Sequence, residues 1–393
     1  MTQAQERLRG IVPLLASYVG FGVFWGCWSV IFIEFVASHD FTYSHQSWYL
    51  MSLTIASMTA MILLSPRIVH LSPSVSLPLA VAFYGIGIGM MPFADDTWLF
   101  VAFGVTGIGT GFIDVLVNQV GHRLELTSGR SVLQGIHAGY STGAMIGAMG
   151  AAIILVNNTG GGWRIALLFA SLAQLPGLLL CVFEPSFHRA EPVEKAQESI
   201  SLVAFVRRPA LLATALIVLS AFFVEGSLDV WAVTYLRDTL GASILAGAIG
   251  FSAFALSTAV GRIFAGRILF GMGYKRTILL SGAGSVIAGT LAVIAPNAWV
   301  ATLAYLMMGF CLAAAGPAAF GSIPGTGSEA GVSIAAVTTV GYIGFVIGPP
   351  VMGWLADATG IRGTIVVITL ATLGILIGGY LSRDYADDPA ESS

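Results

Sequence analysis

The chain reads as twelve long apolar runs separated by short polar breaks. The first six lie near 11–37, 47–65, 75–93, 98–120, 131–156 and 163–183. The second six lie near 209–236, 243–268, 276–295, 298–322, 331–356 and 363–382. Each is close to the ~20 residues an α-helix needs to cross a bilayer. The longest polar stretch, "EPSFHRAEPVEKAQESISLVAFVRR", falls between the sixth and seventh runs. The pattern predicts an all-α integral membrane fold of twelve transmembrane helices in two six-helix bundles. The bundles would occupy 1–183 and 209–393, the second with a short tail, joined by a linker over 184–208.

Composition agrees with a lipid environment. Hydrophobic residues make up 56% of the chain and charged ones 9%, and the mean hydropathy is +0.87. Soluble chains carry about 25% charged residues. The net charge is only −3 and no basic cluster is present, so nucleic acid is excluded as a partner. Cys27, Cys181 and Cys311 lie far apart in apolar runs and read as packing residues. No Walker motif, nucleophile elbow or metal-spaced His cluster occurs, so neither an ATP-driven pump nor a membrane hydrolase is supported, and no cofactor is expected. Arg7 and Arg9 precede the first apolar run. That run is longer than the ~7–15 residues of a signal-peptide core, and it reads as a retained first helix.

Basic residues orient the chain. With the N-terminus inside, the cytoplasmic side collects Arg7, Arg9, Arg67, Arg123, Arg130, Arg189, Lys195, Arg207, Arg208, Arg262, Arg267, Lys275, Arg276 and Arg383, fourteen of the seventeen Lys and Arg. Only Arg164, Arg237 and Arg362 fall outside. The positive-inside rule then places both termini in the cytoplasm.

The two halves echo each other. "SPRIVHL" (65–71) and "AGRILFG" (265–271) end the second and eighth runs, "WGC" (25–27) matches "EGS" (225–227), and "GAMIG" (143–147) matches "GFVIG" (344–348). The offset is about 200 residues each time. Two such halves related by an axis along the membrane normal are the architecture of major facilitator transporters.

A few residues stand out inside the runs. Gly139, Gly143 and Gly147 on the fifth run, and Gly344 and Gly348 with Pro349 and Pro350 on the eleventh, are spaced for close helix approach. They are expected to form either a sliding seam between the halves or static packing. Pro in the eleventh run is expected to kink it. Glu34, Asp114, His137, Glu225 and Asp229 are read as the intramembrane ionisable groups. Such groups are costly in lipid and mark function or a specific partner. Asp114, one turn before Asn118, is the foremost candidate for proton exchange, with Glu225 the second. Glu34 and Asp229 are placed nearer a wet outer mouth. His137 is expected to face the same cavity as Asp114. Trp25 and Trp28 on the first run, and Trp231 on the seventh, are candidates for stacking on a solute.

Five stretches, "IDVLVNQVGHRLE", "GIHAGYSTGAMIGA", "FFVEGSLDVWAVTYL", "AVGRIFAGRILFGMGYKR" and "TTVGYIGFVIGPPVMGWLADATGIRG", resemble in order the YbjJ-like transporters beside the fucose-permease-like branch of the major facilitator superfamily. The resemblance implies a bacterial inner-membrane secondary transporter driven by protons. In that family an acidic residue precedes an Asn by four in the fourth helix, and Asp114 and Asn118 match with Asp in place of the more usual Glu. The seventh-helix "EGS" matches at Glu225 to Ser227. Ile31 stands where such proteins can carry a basic residue, and the first-helix stretch "FWGCWSVIF" has no carboxylate.

The resulting expectation is a monomeric, proton-coupled carrier of a small organic solute. Asp114 and Glu225 would handle protons, and Trp25, Trp28, Asn118, His137, Asp229 and Trp231 would line the solute site. Efflux of an amphipathic compound is the alternative, favoured by a cavity without Arg. A non-transporting solute sensor is the alternative of another class.

Overall fold

Twelve apolar helices account for nearly all of the computed structural model, which describes residues 10–68, 70–128, 132–158, 160–185, 187, 205–323 and 327–382. They are α1 (Ile11–Ser38), α2 (Tyr43–Leu64), α3 (Pro73–Phe93), α4 (Asp96–Leu126), α5 (Leu133–Asn157), α6 (Gly162–Phe183), α7 (Pro209–Thr239), α8 (Ile244–Met272), α9 (Tyr274–Val293), α10 (Ala298–Gly321), α11 (Val332–Thr359) and α12 (Ile361–Leu381). No strand occurs among the described residues. The apolar runs end within a few residues of these helices; α4 continues six residues past its expected end, to Leu126. Most of the expected 184–208 linker, both chain ends, and Arg7, Arg9, Arg130, Arg189, Lys195 and Arg383 of the orientation argument lie outside the described residues.

Short connections make consecutive helices antiparallel. A single residue, Gly273, joins α8 to α9, and another, Gly360, joins α11 to α12. Their φ values of +76° and +75° lie in the left-handed region, which glycine occupies without strain. The links after α1, α3, α5, α7, α9 and α11 therefore share one face of the molecule, here the odd face. The start of α1 and the links after α2, α4, α8 and α10 share the even face.

Helix packing repeats with a step of six. In the first half α1 packs on α5 and α6, α3 on α4 and α6, and α2 on α4. In the second half α7 packs on α11 and α12, α9 on α10 and α12, and α8 on α10. The junctions obey the same rule: α2 meets α11, α8 meets α5, and α1 meets α7. Adding six to each number maps the α2–α11 junction onto α8–α5, so the halves are related by a pseudo-twofold axis through the α1–α7 contact.

The glycine seams lie inside the halves, not between them. A β-carbon at Gly143 or Gly147 would overlap the backbone of Val19 or Val23 on α1, and one at Gly139 would overlap Leu15. Reciprocally, Gly22 and Gly26 of α1 leave no room against Tyr140 and Ala144 of α5. In the second half Gly344 lies against the Leu219 carbonyl and Gly348 against Ser227 and Phe223, all on α7. The sliding reading is therefore corrected: these small residues let α1 lock to α5 and α7 to α11. The glycine that does face the other half is Gly353 on α11, against Ser47 and Tyr43 of α2.

Candidate functional site

Two polar clusters interrupt the apolar interior. The first joins α1, α4 and α5. Tyr18 donates its hydroxyl to Asp114 Oδ1 at 3.1 Å. Asn118 donates its amide to the Tyr18 oxygen at 3.2 Å and to the Asp114 carbonyl at 2.7 Å. His137 Nε2 lies 3.1 Å from Asn118 Oδ1. With the amide so placed, that imidazole nitrogen is the donor. The result is a continuous hydrogen-bonded chain, His137–Asn118–Tyr18–Asp114. Its single-turn spacing on α4 is what brings Asp114 and Asn118 to one side.

Asp114 also opens onto a narrow cavity between α1, α2, α4 and α11. Its walls are Trp25, Leu50, Leu53, Thr54, Ser57, Thr110, Asp114, Tyr342, Phe345, Val346, Pro349 and Pro350. The lining is largely apolar and aromatic, and Asp114 is its only charged residue. The indole N–H of Trp25 is buried without a protein partner. Buried donors are seldom left unpaired.

The second cluster joins α5, α7 and α8. Arg262 on α8 forms an ion pair with Glu225 at 2.6 Å. Its other terminal nitrogen donates to Ser141 Oγ at 3.1 Å and to the His137 carbonyl at 3.5 Å. One residue before Ser141, Tyr140 donates to Asp229 Oδ2 at 2.6 Å. α5 thus touches both clusters, through His137 on one and Tyr140 and Ser141 on the other.

Several expectations are revised by this geometry. Asp229 does not sit at a wet mouth; it is 3% exposed and turned toward α5. Arg262, counted with the cytoplasmic charges, lies within the bundle, roughly 15 Å along α8 from its end at Met272. The interior therefore does contain an arginine. Trp28 is fully buried against Phe24, Phe32, Phe35 and Phe103, away from the cavity. Trp231 donates to the Pro349 carbonyl at 3.0 Å and packs on Phe32 and Tyr43, filling the junction of the halves. Pro349 and Pro350 lie within a continuous α11. Tyr18, Tyr140, Ser141 and Arg262 were not anticipated as site residues. For the tyrosines and serine the sequence holds no signal, since such residues are ordinary members of apolar runs.

The odd face is closed by ties between the halves. Arg237 at the end of α7 grips Glu34 of α1 at 2.5 and 3.0 Å and donates to the Val30 carbonyl at 3.0 Å. Asp357 of α11 accepts from the Tyr43 and Ser44 amides at the start of α2, at 3.2 and 2.7 Å. Trp48 and Trp354 meet edge to face beside them, 5.3 Å between centroids.

The model of the Major Facilitator Superfamily matches residues 14–345 and 251–393. The chain belongs to this superfamily. It is a multi-pass membrane transporter and not an enzyme. An uncharacterised MFS-type transporter of Yersinia pestis is 25% identical over 281 residues, 70% of each chain. Among solved structures, a mutant of the nucleoside transporter NupG superposes with a TM-score of 0.71 at 16% identity, covering 96% of this chain and all of that one. The Escherichia coli fucose:proton symporter FucP superposes with a TM-score of 0.65 at 15% identity, with the same coverage. These likenesses establish the fold.

Proposed function

We propose that this protein is a proton-coupled secondary transporter that moves a small organic solute by alternating access. The observation that carries the reading is the placement of Asp114. It is the one charged wall of a cavity at the junction of the halves, and it ends a hydrogen-bonded chain from His137. A carboxylate sealed in such surroundings is expensive to keep charged. It therefore gains most from taking a proton when the cavity closes and releasing it when water enters. FucP, a fucose:proton symporter, shares this fold, which is consistent with this reading.

In this proposal the solute lies among Trp25, Tyr342 and Asp114, with Asn118 and His137 setting the carboxyl's hydrogen bonds. The halves are 1–183 and 209–393, rocking about α1 and α7 while the ties of the odd face break and re-form. The even face is cytoplasmic, with both termini and the 184–208 linker, in a bacterial inner membrane. The protein acts as a monomer.

A thermal-shift screen on the purified protein supplies the solute, and flux driven by a proton gradient in proteoliposomes tests the coupling. Asp114→Asn should abolish driven net flux while sparing solute binding and exchange. Asp114→Glu should keep part of it. Full driven flux in Asp114→Asn would remove Asp114 from the coupling role. The apolar lining also supports a second reading, export of an amphipathic compound, which the sidedness of flux in oriented vesicles separates.

A further inference from the structure

The second cluster holds two carboxylates and one guanidinium, and the geometry decides which carboxylate the cation serves. Arg262 places one nitrogen on Glu225 and the other on Ser141 and His137. Asp229, one turn along α7, forms no ion pair among the described residues. Its partner is the Tyr140 hydroxyl.

The charged and titratable groups facing Asp229 are few: Tyr140 on α5, Glu225 on its own helix and Arg262 on α8. The other helices packed on α7 bring no charge to this level. On α1 the only charged side chain is Glu34, held by Arg237. On α11 it is Asp357, engaged by the start of α2. On α12 it is Arg362, bonded to the Val293 carbonyl and stacked on Tyr235, and α10 has none.

From this arrangement we infer that Asp229 is a second proton-carrying group, holding its proton at the α5–α7 junction under the Tyr140 hydroxyl. The inference rests on the proton-coupled reading above. Tyr140 occupies Oδ2 and leaves Oδ1 for the proton. A carboxylate buried in a membrane interior, with one hydrogen bond and no ion-paired cation, would otherwise stand poorly compensated. Tyr140 belongs to the first half and Asp229 to the second, so separation of α5 from α7 breaks this bond and admits water to the carboxyl. Each half then contributes one proton carrier, Asp114 on α4 and Asp229 on α7. Glu225 fixes Arg262 in place.

Infrared spectroscopy of the purified protein in lipid at neutral pH tests this without a known solute, through the carbonyl stretch of protonated carboxyl groups. Asp229→Asn should remove a component of that band, since a buried carboxyl without an ion-paired cation is costly to keep charged in hydrocarbon. The result stands whatever Asp114→Asn does to the remainder, so the two proton sites succeed or fail separately. Tyr140→Phe, which keeps the ring and removes the hydrogen bond, should shift the Asp229 component to higher frequency. An unchanged band area in a correctly inserted Asp229→Asn overturns the assignment. So does an unshifted band in Tyr140→Phe, which covers the case where Asp229→Asn does not fold.

Discussion

Thr54 on α2 donates its hydroxyl to the Val346 carbonyl on α11, 2.9 Å away, across the junction of the two halves. The carbonyl is available because of what lies four residues on. Pro350 has no N–H, so the helical bond that would occupy Val346 O is missing. The proline pair thus presents an acceptor to the opposite half.

Thr54→Val keeps the shape of that contact and removes the bond. Losing about 1 kcal/mol from the closed arrangement should raise the opened fraction about fivefold. Distances between spin labels on the odd-face ends of α2 and α11 would report it. An unchanged distance distribution would mean that the tie contributes nothing to closure.

Gly143→Leu and Gly353→Leu should fail in different ways. The first drives a side chain into the Val19 backbone within one half, so it should lower the melting temperature of the purified protein. The second meets Ser47 and Tyr43 of the other half. It should leave the melting temperature nearly unchanged and increase cysteine labelling at the odd face. Equal effects on both readouts would contradict the division into two internally locked halves.

The Arg262 cluster predicts an asymmetry. Arg262→Met strips Glu225 of its cation and should cost about 3–5 kcal/mol of stability, as breaking a buried pair does. Glu225→Gln should cost less, because Asp229 lies one turn away and can take over the guanidinium. Thermal unfolding of the two variants in one detergent gives the comparison. A larger loss for Glu225→Gln would contradict it.

Tyr18→Phe cuts the hydrogen-bonded chain at its centre without opening a cavity. Proton-driven flux should fall severalfold while solute affinity shifts little, because the link from Asn118 to the Asp114 carboxyl runs through this hydroxyl. Wild-type flux in Tyr18→Phe would show that the carboxyl works independently of His137 and Asn118.

Topology has a direct check. A reporter active only in the cytoplasm and fused after Ser393 should be active. Activity of a periplasmic reporter at that position would reverse the orientation drawn from the basic residues.

The fold was legible because lipid imposes it. Runs of about 20 apolar residues can do little else than cross the bilayer as helices, and the 200-residue echoes announced the duplication. The site was legible only where charge made it conspicuous. Asp114, Asn118 and His137 stood out and do meet. Tyr18, which joins them, is an uncharged ring in an apolar helix and stood out no more than its neighbours. Arg262 was counted with the cytoplasmic charges although it already lay inside the expected run 243–268; counting basic residues by side of the membrane does not tell a charge in the bundle from one in a loop. Trp25 and Trp28 were grouped although three positions on a helix leave them about 60° apart. That angle is enough to put Trp25 on the cavity and Trp28 among the core rings. The glycine periodicity correctly signalled close approach, but spacing alone cannot name the partner helix.

The backbone-to-backbone fit of α1 on α5 and of α7 on α11 has a mechanical consequence. In the proposed cycle, two bodies stiffened in this way would pivot rather than flex, like the jaws of a seesaw clamp. Widening one face then obliges the other to narrow. The tightness of such a carrier would follow from the stiffness of its halves.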